Sequence, residues 1–425
     1  MMTVCVHGLG YIGLPTAAVL ADAGHEVVGY DVDSEVREIV RGGDSHIEEP
    51  ELADLVAEVR ERGTLEVAAE VPTADYHLVC VPTPFDEEAR EADLRYVLSA
   101  AESIGEVVRS GDAVILESTV PPGTTAGPFR EEVEAANKSE LVAGTDFELA
   151  HCPETVLPGS MLAELRENDR LVGGVTDDSA RAARRLYEPV VDGDIVTTAN
   201  PTVAEFAKLA QNTFRDVNIA LANEVAKVAD DYGVSSREVI EAANVHPRVD
   251  ILRPGPGVGG HCLPVDPWFL GHDSDRLDLV ERAREINDGM AGYLADVLAR
   301  RLGSLDGRKI ALLGVAYKGN VDDTRGSPGL ALAEELRSRG VSEVAVQDPR
   351  VSDSALGNDS DFSLESLVGV THDADAIVVT ADHDEYGTLS PGVVTDRTAG
   401  EVIVDACDAL DRERWRGVGA EVETV

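Results

Sequence analysis

Thr3-Val4-Cys5-Val6-His7-Gly8-Leu9-Gly10-Tyr11-Ile12-Gly13 is followed by LPTAAVLADAGHEVVGYDVD, which runs to Asp33. An apolar run of strand length enters Gly8-x-Gly10-x-x-Gly13. An alanine-rich helix follows to about Gly24, and a second strand, Glu26 to Tyr30, finishes at Asp31. The glycines permit a tight turn and let a pyrophosphate approach the backbone at a helix N-terminus. Asp31 stands 18 residues past Gly13, where an acid hydrogen-bonds the adenosine ribose and repels a 2′-phosphate. The stretch predicts a Rossmann-like α/β unit that takes NAD rather than NADP. Gly8, Gly10, Tyr11, Ile12, Gly13 and Asp31 are its expected cofactor residues.

Two more strands belong to this unit: Tyr76 to Val81, leading into Pro82-Thr83-Pro84, and Ala113 to Glu117, leading into Ser118-Thr119-Val120-Pro121-Pro122-Gly123-Thr124. In an open parallel sheet, ligands lie beyond the carboxyl ends of the strands. Thr83 and Thr119 therefore either face the cofactor or cap their own turns.

A length of 425 residues predicts two or three domains. No apolar run approaches the roughly 18 residues of a membrane span, and no signal peptide precedes the first strand. A cytoplasmic chain without a membrane partner is expected. Asp and Glu number 80 against 36 Lys and Arg, a formal net charge of −44 spread along the sequence. Such a surface suits concentrated salt, where screening removes self-repulsion, so a halophile cytoplasm is expected. No basic patch exists to neutralise phosphates, which disfavours nucleic acid as a partner. Five cysteines is an odd number and reads as free thiols; no CxxC or HExxH spacing suggests a metal site.

After a strand from Ile195 to Thr198, Pro201-Thr202-Val203-Ala204-Glu205 reads as a capping box. The helix it opens runs near 30 residues to a stop at Gly233. Lys208, Asn212 and Arg215 recur at helical spacing and share one face. Lysine is scarce here (Lys138, Lys208, Lys227, Lys309, Lys318), so one that remains is either an ordinary surface residue or needed for its titratable ammonium. Ser235-Ser236-Arg237-Glu238 starts another helix. A third unit opens at Arg308 to Lys318. There Ser327 is the expected N-cap, Pro328 the first helical residue, and strands are expected at Glu343 to Gln347, Ala376 to Thr380 and Glu401 to Val404. It echoes the first unit without the glycine triplet, and either holds a nucleotide-bearing substrate or serves only for dimerisation.

The fold class expected is α/β, with two Rossmann-like parallel-sheet domains joined by a central helical domain with a long spine helix. The boundaries are 1–198 for the NAD-binding domain, 199–300 for the helical and dimerisation domain, and 301–425 for the second Rossmann-like domain.

Cys5, Cys80 and Cys407 lie in or at the end of apolar strands, as small buried hydrophobes do, and Cys152 sits in AHCPE at a strand end. Only Cys262 lies in a glycine loop, RPGPGVGGHCLPVDPWF from Arg253 to Phe269, where a substrate can approach the backbone. A thiol needs a nearby base or cation to become thiolate, and Lys208 and Asp266 are of suitable type. His261 is adjacent in sequence and is expected to point away. A dehydrogenase with a nucleophilic cysteine implies oxidation through an aldehyde to a thioester and then an acid.

HGLGYIG, VPTP, ESTVPPGTT, CPE, the Lys208–Asn212 helix, GGHCLPVDP and AYKGNVDDTRGSP occur here in the order that resembles the UDP-glucose/GDP-mannose dehydrogenase family, end to end. The resemblance implies two successive NAD-dependent oxidations at C6 of a UDP-sugar, giving a uronate. It makes Cys262 the nucleophile and Lys208 the acid/base. Asp266 and Thr119 would order the lysine and a water, and Glu154 would help activate water. Asn212, Arg215, Val156 and Gly259 would touch the sugar nucleotide. His246 and Arg248 would reach it from a neighbouring subunit, implying a homodimer. Tyr317 and Lys318 would hold the UDP part, and Arg325 would reach NAD. HPRVDILRPGPGVGGHCLPVDPWF is most similar to members that act on UDP-N-acetyl-D-mannosamine. Val265 stands where UDP-glucose dehydrogenases more often have lysine, while UDP-N-acetylglucosamine 6-dehydrogenases share the GGHC element. Thr155 stands where relatives often have a substrate-touching arginine. The rivals are a one-step β-hydroxyacid dehydrogenase, which leaves Cys262 and the third unit unexplained, and a non-catalytic NAD-binding assembly protein.

Overall fold

The computed structural model describes residues 2–86, 90–274, 276–356 and 362–425. The chain divides into two compact units, one of residues 1–211 with 268–275, the other of residues 212–267 with 276–425.

The strands of the first unit are β1 (Thr3–His7), β2 (Glu26–Tyr30), β3 (Leu65–Ala68), β4 (Tyr76–Val79), β5 (Phe85–Asp86), β6 (Glu91–Ala92), β7 (Ala113–Leu116), β8 (Glu148–His151), β9 (Arg170–Gly174) and β10 (Ile195–Thr197). Eight of them form one sheet in the order β10-β9-β8-β7-β4-β1-β2-β3, and β5 pairs with β6 as a separate antiparallel ribbon. The run β3-β2-β1-β4-β7-β8 is parallel and doubly wound, reversing direction between β1 and β4. β9 then joins antiparallel to β8. Both faces are covered, so the strands read as continuous apolar runs. On β7, Ala113 and Ile115 join a core with the helices Gly13–Asp22 and Asp177–Tyr187. Val114 and Leu116 pack the other way, with Arg95–Gly105 and Arg130–Ala136.

The second unit has a five-stranded parallel sheet of β11 (Lys309–Leu313), β12 (Glu343–Gln347), β13 (Ala376–Val379), β14 (Val402–Asp405) and β15 (Glu421–Thr424). Its order is β12-β11-β13-β14-β15. Ile310 and Leu312 meet the helices Met290–Leu302 and Pro328–Ser338 on one face, while Ala311 and Leu313 meet Val370, Tyr386 and Trp415 on the other. The α/β class with two such sheets and a long central helix is the architecture expected from sequence.

That helix, Pro201–Tyr232, has 32 residues and is about 48 Å long. Gly233 takes φ 65° and stops it. Its start differs from the capping box. Asn200 Oδ1 accepts from Val203 N at 3.1 Å, and Pro201 is the first helical residue. Glu205 is instead buried, and its carboxylate accepts from Gly123 N at 2.5 Å and Thr125 N at 2.7 Å. Among the described residues no helix is long and apolar enough to cross a membrane.

Three histidines on strands of the first unit are sealed. His7 Nε2 and His77 Nδ1 lie 3.1 Å apart on β1 and β4, and His151 is buried at the end of β8. Burial, reinforced by His77, holds His7 well below its ordinary range. Burial with the Arg109 charge brings His77 to about 4, and burial brings His151 to about 3. An unfolded imidazole titrates near 6.5, so below that pH the unfolded chain binds protons that the folded chain does not. Stability is therefore full above pH ~6.5 and falls as pH drops toward the folded values, by up to about 1.4 kcal/mol per pH unit for each histidine. Urea titrations in molar KCl should show midpoints falling steeply below pH ~6.5. The double variant His7→Val/His77→Val should flatten that slope, whereas an unchanged slope would mean the pair is protonated in the native state.

Candidate active site

The dinucleotide turn in the first unit is built by close backbone contact. Gly8 takes φ +87°, and a Cβ there would lie 2.7 Å from Cys80 O; one on Gly13 would lie 1.8 Å from Gly8 O. Gly10 has open space around the same position, so it is the glycine left to face a ligand. Asp31, at the carboxyl end of β2, accepts from Leu9 N at 2.8 Å and from Asp33 N at 2.9 Å. Its carboxylate thus braces the glycine turn beside the helix N-terminus that receives a pyrophosphate. These features fit a dinucleotide, and Tyr11, 40% exposed, and Ile12 lie in the same turn. Thr83 Oγ1 donates to Thr119 O at 2.8 Å, so the two threonines tie the loops after β4 and β7 together.

Glu154 and Lys208 also belong to the first unit. Burial raises the Glu154 carboxyl against the opposing pull of the Lys208 ammonium and a hydrogen bond from Val156 N. A carboxyl pushed upward beside a buried lysine is better suited to taking up a proton than a free one. The loop that carries Glu154 is clamped by Glu49, whose carboxylate accepts from Gly159 N at 2.8 Å and Met161 N at 2.7 Å.

In the second unit the glycine loop lies on the loop after β11. Gly260 N donates to Arg325 O at 2.9 Å. A Cβ on Gly259 would lie 2.5 Å from Gly326 O, and one on Gly260 would lie 3.0 Å from the Tyr317 ring. Cys262 is the exposed member of the five cysteines; Cys5, Cys80 and Cys152 are buried and Cys407 is half-buried. The Cys262 carbonyl accepts from Asp266 N at 2.8 Å, which closes the turn beneath the thiol. Asp266 in turn accepts from Asn212 Nδ2 at 2.6 Å. Gly259, Tyr317 and Arg325 are thus brought around one loop together with Cys262. Lys318 Nζ lies 5.8 Å from the Tyr317 ring centre, and Arg325 grips Asp323 through Nε and Nη2. Arg215, His246 and Arg248 are exposed on this unit.

Matches to three domains of one family cover the chain in order: its NAD binding domain over residues 2–191, its central domain over 202–289 and its UDP binding domain over 311–412. The chain belongs to the UDP-glucose/GDP-mannose dehydrogenase family. It is 40% identical over 428 residues to the UDP-N-acetyl-D-mannosamine dehydrogenase of Methanococcus maripaludis, covering 99% of this chain and 96% of that one. It is also 40% identical over 408 residues to an NDP-N-acetyl-D-galactosaminuronic acid dehydrogenase of Ralstonia solanacearum, covering 95% of each. The solved structure of the UDP-D-ManNAc dehydrogenase of Pyrococcus horikoshii has a TM-score of 0.91 at 40% identity, covering 100% of this chain and 99% of that one. NAD is accordingly the dinucleotide of the first unit.

Two placements in the second unit were not legible in the sequence. His261, expected to point away, has Nε2 at 3.8 Å from Cys262 Sγ, because the chain turns tightly between Gly260 and Asp266. Asp348, at the end of β12, accepts from Val315 N at 2.8 Å, Ala316 N at 3.0 Å and His383 Nε2 at 3.1 Å. Burial raises its carboxyl, but these hydrogen bonds outweigh burial and hold it below the usual range. Its place after the second strand of the sheet, matching that of Asp31, was a signal that could have been used.

Replacing Gly259 by Ala should shift the Cys262 loop against Gly326 and lower turnover about 100-fold. NAD affinity, read by NADH fluorescence titration, should stay unchanged. Replacing Asp31 by Asn should raise the ratio of NADP to NAD turnover.

Proposed function

We propose that this protein oxidises C6 of UDP-N-acetyl-D-mannosamine to the uronate in two NAD-dependent steps. The exposed thiol of Cys262 on a glycine loop of an NAD-binding chain carries this reading, since oxidation of an alcohol once needs no thiol. NAD, when bound, accepts the two electrons of each oxidation. Lys208 removes the C6 hydroxyl proton, and its ammonium then faces the oxyanion. Cys262 adds to the aldehyde, so the second oxidation leaves a thioester. Glu154 draws the proton from the water that hydrolyses it, while Thr119 and Asp266 order that water and the lysine. Asn212 holds Asp266, in keeping with their 2.6 Å bond.

Asn212, Arg215, Val156 and Gly259 contact the sugar nucleotide, Tyr317 and Lys318 hold the UDP part, Arg325 reaches NAD, and Thr83 and the turn residues Gly8 to Gly13 with Asp31 hold the dinucleotide. Residues 1–198, 199–300 and 301–425 divide the labour as cofactor, helical and UDP-sugar domains. The choice of sugar rests on the similarity to UDP-N-acetyl-D-mannosamine dehydrogenases. The equal identity to the Ralstonia protein keeps an N-acetylgalactosamine substrate as the second reading.

The same reading makes the protein a cytoplasmic homodimer of a salt-rich cell, with His246 and Arg248 reaching the partner's substrate. Phe214, Leu221, Val228 and Tyr232 support the dimer: they are 60%, 49%, 49% and 79% exposed along the long helix at steps of seven, seven and four. An apolar seam of that period on so acidic a chain fits a second helix.

Purified protein in molar KCl should yield two NADH per UDP-N-acetyl-D-mannosamine and less with the N-acetylglucosamine, N-acetylgalactosamine and glucose nucleotides. One NADH per sugar would sink the thioester route. Replacing Cys262 by Ala should abolish uronate formation. Replacing Leu221 by Glu should halve the mass seen by sedimentation, and a mass unchanged by that substitution would remove the seam from the interface.

A further inference from the structure

His261 and Cys262 form a pair that the sequence pattern argued against. Nε2 lies 3.8 Å from Sγ, within reach of a sulfur hydrogen bond. The charged groups that face the ring are Arg325 and Asp323, both on the loop after β11, which bind each other through Arg325 Nε and Nη2. Gly260, immediately before His261, takes φ +80° and donates its N–H to Arg325 O at 2.9 Å. The imidazole is therefore pinned to the loop that supplies both charges. The residue keeps an exposed surface, but partial desolvation where it packs on the loop, with the Arg325 guanidinium, lowers its pKa, so at neutral pH the ring is free to accept a proton. Asp323 acts in the opposite sense and favours the imidazolium once a proton has arrived.

We propose that His261 is the general base for Cys262, taking the thiol proton on Nε2 as Sγ adds to the C6 aldehyde. The proposal rests on the reading of Cys262 as nucleophile. In the addition the S–C bond forms, the carbonyl electron pair moves to oxygen, and the S–H proton moves to Nε2. After the second oxidation, water adds to the thioester carbon and its proton passes to Glu154. The C–S bond then breaks, Sγ recovers its proton from Nε2, and the acid released ionises to solvent. Glu154 and Lys208 give up their protons to solvent, and His261 ends each turnover neutral, as it began.

Iodoacetamide reads this pair in the intact protein without substrate or NAD, because Cys262 is the exposed thiol. Alkylation of the Cys262 peptide would be followed by mass spectrometry from about pH 6 to about pH 9 in molar KCl. At pH ~7 the wild type should react at least about ten times faster than His261→Asn or His261→Gln, whose rates should climb as for an ordinary thiol of pKa near 8.5. Slow alkylation of Cys5, Cys80 and Cys152 in the same samples reports that the variants are folded. Turnover of His261→Asn should fall about 100-fold or more and recover in part with added imidazole. Equal alkylation rates and pH profiles in wild type and both variants would overturn the proposal. Two NADH per sugar alongside His261-independent alkylation would leave the assigned reaction standing and remove His261 from it. His261-dependent alkylation without NADH from any UDP-sugar would instead defeat the assigned reaction, and with it the role of His261 in aldehyde chemistry.

Discussion

The glycine and proline loop that carries Cys262 has no ladder of its own, and the side-chain amides of the long helix hold it in place. Asn218 donates to Asp250 O at 2.7 Å and accepts from Leu252 N at 3.1 Å, which pairs the loop as a neighbouring strand would. Asn223 Oδ1 accepts from Gly255 N at 2.8 Å, and Asn212 donates to Asp266 at the far end. Asparagine serves because donor and acceptor sit together on a short, stiff side chain. Each bond contributes about 1 kcal/mol, but a buried amide left without its partner costs about 1–3 kcal/mol, so loop and helix hold or fail together.

The helix is fixed in turn from behind. Asn223 Nδ2 donates to Asn287 Oδ1 at 2.9 Å, and Asn287 Nδ2 donates to Asp216 Oδ1 at 2.9 Å. Arg284 Nη1 completes the chain at 2.7 Å from the same oxygen. Burial raises the Asp216 carboxyl, and the guanidinium with the amide works against that shift. An ion pair this deep adds little net stability, yet removing one partner would strand a buried charge. Its effect is to fix where the loop lies, and with it the position of the exposed Cys262 thiol.

Local signals were readable where their partners are local. The first strand, turn and helix, the stop at Gly233, and Ser327 with Pro328 each involve residues within a few positions, and Ser327 Oγ accepts from Leu330 N at 3.1 Å as its place implies. Thr202-x-x-Glu205 has the same local form, but Glu205 has partners about 80 residues away at Gly123 and Thr125, and tertiary bonds to two amides displace a single helix cap. The Asn200-Pro201 pair held the correct cap signal. Asn218 and Asn223 carried no such mark, because what they bind is loop backbone more than 30 residues on. His261 was misjudged by a strand rule of alternation applied to a chain that is turning.

The two sheets use one device for different ends. Asp31 after β2 and Asp348 after β12 each accept N–H groups from the loop that follows the first strand of their sheet. In the first unit that loop enters a helix at Gly13, so its amides are left for a pyrophosphate. In the second, the helix waits until Pro328, and a longer segment through Tyr317, Lys318 and Asp323 intervenes. Gly314 closes the strand end against Ala381, where a Cβ would lie 2.6 Å from Ala381 N. The extra residues form the bed on which Gly259 and Gly260 lie, and they bring Asp323 and Arg325 to His261. Loss of the glycine triplet is therefore what allows this sheet to support the Cys262 loop as well as a nucleotide.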